Sequence, residues 1–245
     1  MKFILAILVV LSYLNAQEKI TIGAGAYMQT QPYKGLDGIL LPSPVIFFDN
    51  SVVYARWTRI GVYFLGDKQN DSSWGFSLTA QPRPYGYKSE DSKDLIGMDD
   101  RKNSFEGGLA FGYKIHDTHL EITLLTDILD RYETWISKCE IGQDFQVGKL
   151  SVYPSVMATY QSSGFLDYYY GVKHNEVTNS RNAYKPSNGL ELGIQTYINY
   201  PLTDNLSAFI NLRVDRLSRE TINSPIVSDD YIYSGLASLI YSFEY

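Results

Sequence analysis

Apolar and polar residues alternate with a period of two along most of the chain from Lys19 onward. The C-terminal stretch shows it best: Tyr231, Tyr233, Gly235, Ala237, Leu239, Tyr241, Phe243 and Tyr245 share one face, and Ile232, Ser234, Leu236, Ser238, Ile240, Ser242 and Glu244 the other. Successive side chains of a strand point to opposite sides, so such a segment is predicted as a strand with one aromatic, apolar face and one mixed, polar face. The same reading applies to 205–217, 189–200, 150–161, 118–128 and 104–115. In the last of these, Phe105, Leu109, Phe111, Tyr113 and Ile115 oppose Glu106, Gly108, Gly112 and Lys114. Segments near 19–28, 44–57, 59–66 and 73–83 alternate less cleanly.

The cleaner strands are about twice the five or six residues usual in soluble sheets, a length that crosses a hydrocarbon slab when tilted. Short turns are predicted at 116–118, near Gly148-Lys149 and at 203–205, and long loops at 84–103, 163–188 and 219–230. Short turns at one end and long loops at the other are the asymmetry of outer-membrane barrels, with the short turns periplasmic. The predicted fold is therefore all-β, a single antiparallel transmembrane β-barrel of ten to twelve strands. Twelve follows if 44–50 and 51–57 form a hairpin around Asp49-Asn50, the preferred reading; ten follows if the first belongs to a loop. A soluble β-sandwich with one wet face is the alternative that strand length and loop asymmetry weigh against.

Residues 1–16 stand apart from this pattern. Lys2 precedes an almost wholly apolar run over 3–14, and Leu14-Asn15-Ala16 ends in a small residue before polar Gln17-Glu18-Lys19. That is the layout of a secretory signal peptide, too short for a membrane span, and leaves 17–245 as the barrel. Removing Lys2 takes the formal charge from −6 to about −7. An acidic chain without a basic stripe is not built for nucleic acid. The lone Cys139 excludes an internal disulfide and a multi-cysteine metal site. The 21 tyrosines, 11 phenylalanines and 3 tryptophans suit the aromatic girdles that a membrane barrel places at both interfaces.

Candidate chemistry is sparse. His116 and His119 flank a predicted turn at a spacing that puts strand residues on opposite faces, a poor pair of metal ligands. His174 lies in a tyrosine-rich loop with no serine elbow to complete a hydrolase. Gly23-Ala24-Gly25 reads as a crowded strand rather than a phosphate loop. Glu106, Lys114, Glu121, Asp127, Glu191, Arg213 and Asp215 should face the lumen, lining a pore or pairing across a filled one. No cofactor or metal site is expected.

Several segments carry a family resemblance: Gly23-Ala24-Gly25, Pro32-Tyr33-Lys34-Gly35-Leu36-Asp37 and Pro42 to Phe47; Arg83-Pro84-Tyr85-Gly86-Tyr87, Leu95-Ile96-Gly97-Met98 and Arg101; Tyr169-Tyr170-Gly171-Val172, Tyr184 and Ser224-Pro225-Ile226-Val227 before Tyr241-Ser242-Phe243. Together they resemble the MltA-interacting protein / OmpV family of outer-membrane proteins over the whole mature chain. Tyr245 departs from it by extending two residues past the terminal Phe. The resemblance implies a non-enzymatic barrel in the cell outer membrane, in contact with its lipid. It also implies a scaffold role, with a lytic murein transglycosylase and a murein synthase as partners; porin-like and surface-binding roles are described for other members. No catalytic residue is carried over. The motif residues Tyr33, Arg83, Tyr85, Arg101, Tyr169, Tyr170, Gly171, Tyr184, Ser224 and Pro225 fall in or beside predicted outer loops, as cap or as ligand contacts. Tyr241, Phe243 and Tyr245 form the face expected to direct membrane insertion.

Overall fold

The computed structural model describes residues 19–69, 71–84 and 86–244; the signal-peptide reading of 1–16, Tyr85 and Tyr245 lie outside them. The strands are β1 (Lys19–Gln29), β2 (Ile39–Asp49), β3 (Val53–Arg56), β4 (Arg59–Lys68), β5 (Ser72–Arg83), β6 (Ser104–Ile115), β7 (Thr118–Asp127), β8 (Trp135–Gln143), β9 (Phe145–Val147), β10 (Leu150–Gln161), β11 (Gly189–Pro201), β12 (Leu206–Arg216) and β13 (Tyr231–Glu244). Two helices, α1 (Ser163–Tyr170) and α2 (Arg219–Ile222), sit in the long loops.

Neighbouring strands pair antiparallel in chain order. β13 returns to β1, from Lys19↔Glu244 to Gln29↔Ser234, and closes the ring. β8 and β9 both pair with β10, and Ser155↔Gly142 and Val152↔Phe145 belong to one continuous register. The break between them falls beside Pro154, which has no N–H to give. They are one spanning strand, so the barrel has twelve. Closure is what hydrocarbon demands, because only a ring of strands pairs its backbone groups without leaving an edge.

The period-two pattern sorts the two faces as the sequence predicts. On β11, Leu190, Leu192 and Ile194 are exposed on the outer wall, and Glu191 and Gln195 are buried inside. Aromatic pairs ring the wall near both ends: Tyr241–Phe243 at 4.8 Å near the chain termini, and Tyr231–Tyr233 at 6.3 Å and Trp135–Tyr160 at 5.2 Å near the long loops. Gly25 lets β1 approach β13 closely, since a Cβ there would stand 2.5 Å from the Ser238 Cβ.

Two details differ from the sequence reading. The hairpin around Asp49-Asn50 is real, but its first arm begins at Ile39 rather than 44, and its second, β3, spans only Val53–Arg56. β8, which is not among the alternating segments read from the sequence, is a full wall strand. Its pattern is blurred because Ile136 faces inward and Cys139 outward.

Candidate functional site

The functional geometry is a difference between the two ends of the lumen. The long loops fold inward and fill one end. Ser162 precedes α1 in extended conformation, and the helix buries Phe165, Leu166, Tyr169 and Tyr170 at helical spacing. They pack with Tyr33, Tyr87, Leu95, Met98, Val172 and Ile226, and with the inward wall residues Leu125, Ile136 and Ile232. Ring centroids lie 4.6 Å apart for Tyr33–Tyr87, 5.6 Å for Tyr33–Tyr170 and 5.1 Å for Tyr132–Phe165. Each fully buried Phe or Leu contributes about 1.5–3 kcal/mol. Isolated bridges stitch the loops together at Tyr33↔Val227, Tyr87↔Arg101 and Val172↔Tyr184.

Polar bonds lock this cap. Arg101 Nη2 donates to both oxygens of Glu176 at 2.9 and 3.2 Å, and its Nη1 donates to the Asp99 carbonyl at 2.8 Å. The Arg101 and Glu176 side chains are almost wholly buried. Arg181 donates to the carbonyls of Asp94 at 2.7 Å and Ile96 at 3.0 Å. The Tyr184 hydroxyl donates to the Glu220 carbonyl at 2.7 Å, and Ser224 Oγ donates to the Tyr170 carbonyl at 2.6 Å. Burial pushes the Tyr87 and Tyr169 hydroxyls up. Near the surface, Lys173 Nζ donates to Asp99 at 2.8 Å and holds that carboxyl below its ordinary range.

Beneath the cap lies a layer of paired charges. Glu106 is fully buried and accepts bonds from Arg83 Nη2 at 3.0 Å, Gln81 Nε2 at 3.0 Å and the Tyr132 hydroxyl at 2.7 Å. The Arg83 guanidinium stands 5.2 Å over the Phe165 ring, so this layer and the cap are one packed unit. Near the same level Arg213 meets Asp215 at 2.6 Å, and lower down Glu140 accepts from Lys138, Ser155 and Gln195. Arg56 and Arg59 meet on Glu121. These inward charges pair within the lumen, and Lys114, Glu121, Glu191, Arg213 and Asp215 also line the cavity that remains there.

A cavity of about 1740 Å³ remains below, bordered near the chain termini by Lys19, Asp49, Lys68, Lys114 and Asp144. That rim is charged and exposed: Lys114 Nζ and His119 Nε2 lie 3.5 and 2.8 Å from Asp144 Oδ2. Among the described residues the lumen is thus a cup, packed shut at the long-loop end and open at the short-turn end.

Of the sequence-derived candidates, Tyr33, Arg101, Tyr169, Tyr170, Gly171, Tyr184 and Ser224 come together in the cap, Pro225 borders it, and Arg83 bonds from below. Tyr241 and Phe243 sit apart, on the outer wall. His174 is exposed in a short 3-10 turn, and no group of potential metal ligands exists among the described residues. Glu176, Arg181 and Tyr132 were not singled out in the sequence. The helical spacing of Phe165, Leu166, Tyr169 and Tyr170 is a further sequence signal for the cap, beside the motif residues already read as cap or ligand contacts.

The sequence model of the family described as MltA-interacting protein MipA matches residues 22–243. The chain belongs to that family. The MltA-interacting protein of Escherichia coli (strain K12) is 29% identical over 227 residues, covering 91% of this chain and 89% of that one. The outer membrane protein OmpV of Vibrio cholerae is 27% identical over 180 residues, covering 74% and 69%. Among solved structures, the chain is similar to the translocator domain of the autotransporter NalP from Neisseria meningitidis, with TM-score 0.43, 8% identity, and 97% and 92% of the two chains covered. This MipA-family chain is an outer-membrane β-barrel, and the relatives are named as interacting or outer-membrane proteins rather than as enzymes.

Proposed function

We propose that this barrel is a non-conducting, non-enzymatic anchor whose open mouth holds a murein-remodelling enzyme at the inner face of the outer membrane. The partners are a lytic murein transglycosylase and, beside it, a murein synthase. The observation that carries the reading is the cup: a lumen packed shut at the long-loop end cannot serve passage, and its accessible charged rim lies at the other end. Short turns belong on the periplasmic side, where murein enzymes work. A relative bearing the name MltA-interacting protein supports the choice of partner.

On this reading residues 1–16 are removed on export. The loop tyrosines and arginines, Tyr85 among them, act as cap rather than as ligand contacts. Tyr241, Phe243 and Tyr245 guide insertion. The rim offers charge rather than apolar area, so docking depends on salt and association is steered.

The test is binding of a purified lytic murein transglycosylase to the refolded chain in nanodiscs, at two salt concentrations. Lys114→Glu with Asp144→Lys should slow association, while changes in the exposed loop residues Lys173 and Asn175 leave it unaltered. No binding to the intact chain, or binding lost only through loop changes, would sink the proposal. A silent planar bilayer is what the closed lumen predicts, and discrete conductance would favour a narrow channel instead.

A further inference from the structure

The barrel wall is incomplete at one place. β2 pairs with β3 only through Phe47–Asp49. The β3–β4 hairpin then turns at Trp57-Thr58, with the Trp57 N–H donating to the Ile46 carbonyl at 2.8 Å. β4 follows β5 only as far as Ile60↔Ala80. Residues 39–45 of β2 and 81–83 of β5, in the half of the wall nearer the long loops, therefore border a gap with no strand of the described residues between them.

Unpaired strand edges in hydrocarbon are costly, because each free N–H lacks any partner there. Ile46 turns its carbonyl toward β3, so the alternate residues Leu40, Pro42 and Pro44 turn their backbone groups toward the gap. Two of those three have no N–H. Pro82 stands on the opposite border. Proline at an edge removes donors and blocks strand addition, so the gap is built to stay unpaired rather than to recruit another strand.

The cavity of about 1740 Å³ reaches this gap, where Leu41, Pro42, Pro44 and Trp57 border it on one side and Pro82 on the other. Leu41 has the inward parity of Val45, opposite the lumen residue Tyr27, yet it is 47% exposed where Val45 is 0% exposed. On the outer wall around the gap, Leu40, Ile60 and Leu78 present apolar side chains. Trp57 holds the sill. It adopts a φ of 54°, uncommon for a bulky residue, and is fixed there by its Nε1–H donating to Ser43 Oγ at 2.9 Å and by edge contact with Tyr27 at 5.7 Å.

We infer that this gap is a lateral portal through which the acyl chain of a membrane amphiphile enters the lumen. The surrounding medium at that depth is acyl chain, the borders are apolar and poor in donors, and the cap closes the axial route from above. The interior just inside is amphipathic, with Leu41, Tyr27 and Phe47 on the wall and the Arg56 and Tyr63 polar groups deeper. The chain tail lies along Leu41 and Trp57. Its headgroup stays at the membrane surface or follows it in.

The test is photolabelling of the folded mature chain in phosphatidylcholine vesicles. One arm is doped with a fatty acid carrying a mid-chain diazirine, and the other with a phosphatidylcholine bearing the same group. Labelled residues are mapped by mass spectrometry. Label on Leu41, Ser43, Phe47 or Trp57 is the expected result, and the arm that gives it identifies the source of the chain. Label confined to outward residues such as Leu192 and Leu212 would mean annular lipid alone and overturns the inference. Cross-linked dimers joined through residues 39–45 overturn it in favour of a second copy. Leu41→Asp, checked for folding by heat-modifiable mobility, should lower lumen labelling about tenfold and leave outer-wall labelling unchanged; unchanged lumen labelling in that variant also overturns it.

Discussion

At the long-loop end of the barrel, five connections together bury four aromatic or aliphatic side chains of α1 among tyrosines from distant segments and tie them with Arg101, Arg181 and Ser224. At the other end, connections such as Asp49–Val53 and Ile115–Thr118 are too short to reach across, and the same strands frame an open, charged mouth. Both ends share one wall and one inside–outside alternation. The wall pattern thus decides that a lumen exists, and the connections alone decide whether it is filled. The difference between the two ends therefore lies in loop packing and rim charge rather than in the strand pattern.

Changes that strike the cap without touching the mouth break the comparison most sharply. Arg101→Ala leaves Glu176 buried without its counter-charge, held only by the backbone N–H groups of Asp99 and Lys173, and should cost about 3–5 kcal/mol. It should be seen as a lower urea midpoint and as proteolysis within 163–188, with the β1–β13 seam still resistant. Replacing both Arg101 and Glu176 by Leu removes the uncompensated charge and should cost distinctly less; equal losses would show that the ion pair does not hold the cap.

The wall itself should respond by face. Ile194, 60% exposed to the lipid side near the middle of β11, changed to Arg should destabilise the barrel by roughly 2–4 kcal/mol. Exposed rim residues such as Lys68 should tolerate the reverse change. Refolding yields into vesicles measure both, and similar losses would mean that the faces are misassigned. Gly25→Val pushes a side chain into Ser238 and the Ala237 carbonyl. That overpacking should cost about 1–3 kcal/mol, read from the temperature at which the folded, fast-migrating band is lost.

The smallest effect is pH-dependent and confined to the cap. Lys173 holds the folded Asp99 carboxyl below its unfolded value. Its contribution is therefore present above the unfolded pKa and lost as pH falls through the lowered folded one. Amide protection factors in the 94–101 segment, taken relative to intrinsic exchange at each pH, should fall under acid in the native chain and change less in Asp99→Asn. Because the pair is exposed, the difference should be slight.

Much of the wall was legible in the sequence because period-two alternation is a local property. β6, β7, β10, β11, β12 and β13 begin and end within a few residues of the alternating segments. β8 and the short β3 were less so: one mixes apolar residues onto both faces, and the other is cut short by a turn at Trp57 that no spacing announces. The cap was legible only as a set of motif residues. Arg101 and Glu176 are 75 positions apart, and nothing local says that they meet. The prolines of β2 read as a family motif in the sequence, and their role at an open edge needs the strand register to be seen.

The most direct test of the closed lumen is single-channel conductance of the refolded mature chain in a planar bilayer, beside a variant lacking residues 163–188. The packed cap predicts silence from the intact chain and discrete steps from the shortened one. Steady, discrete steps from the intact chain, altered by neutralising Arg213 and Asp215, would contradict it.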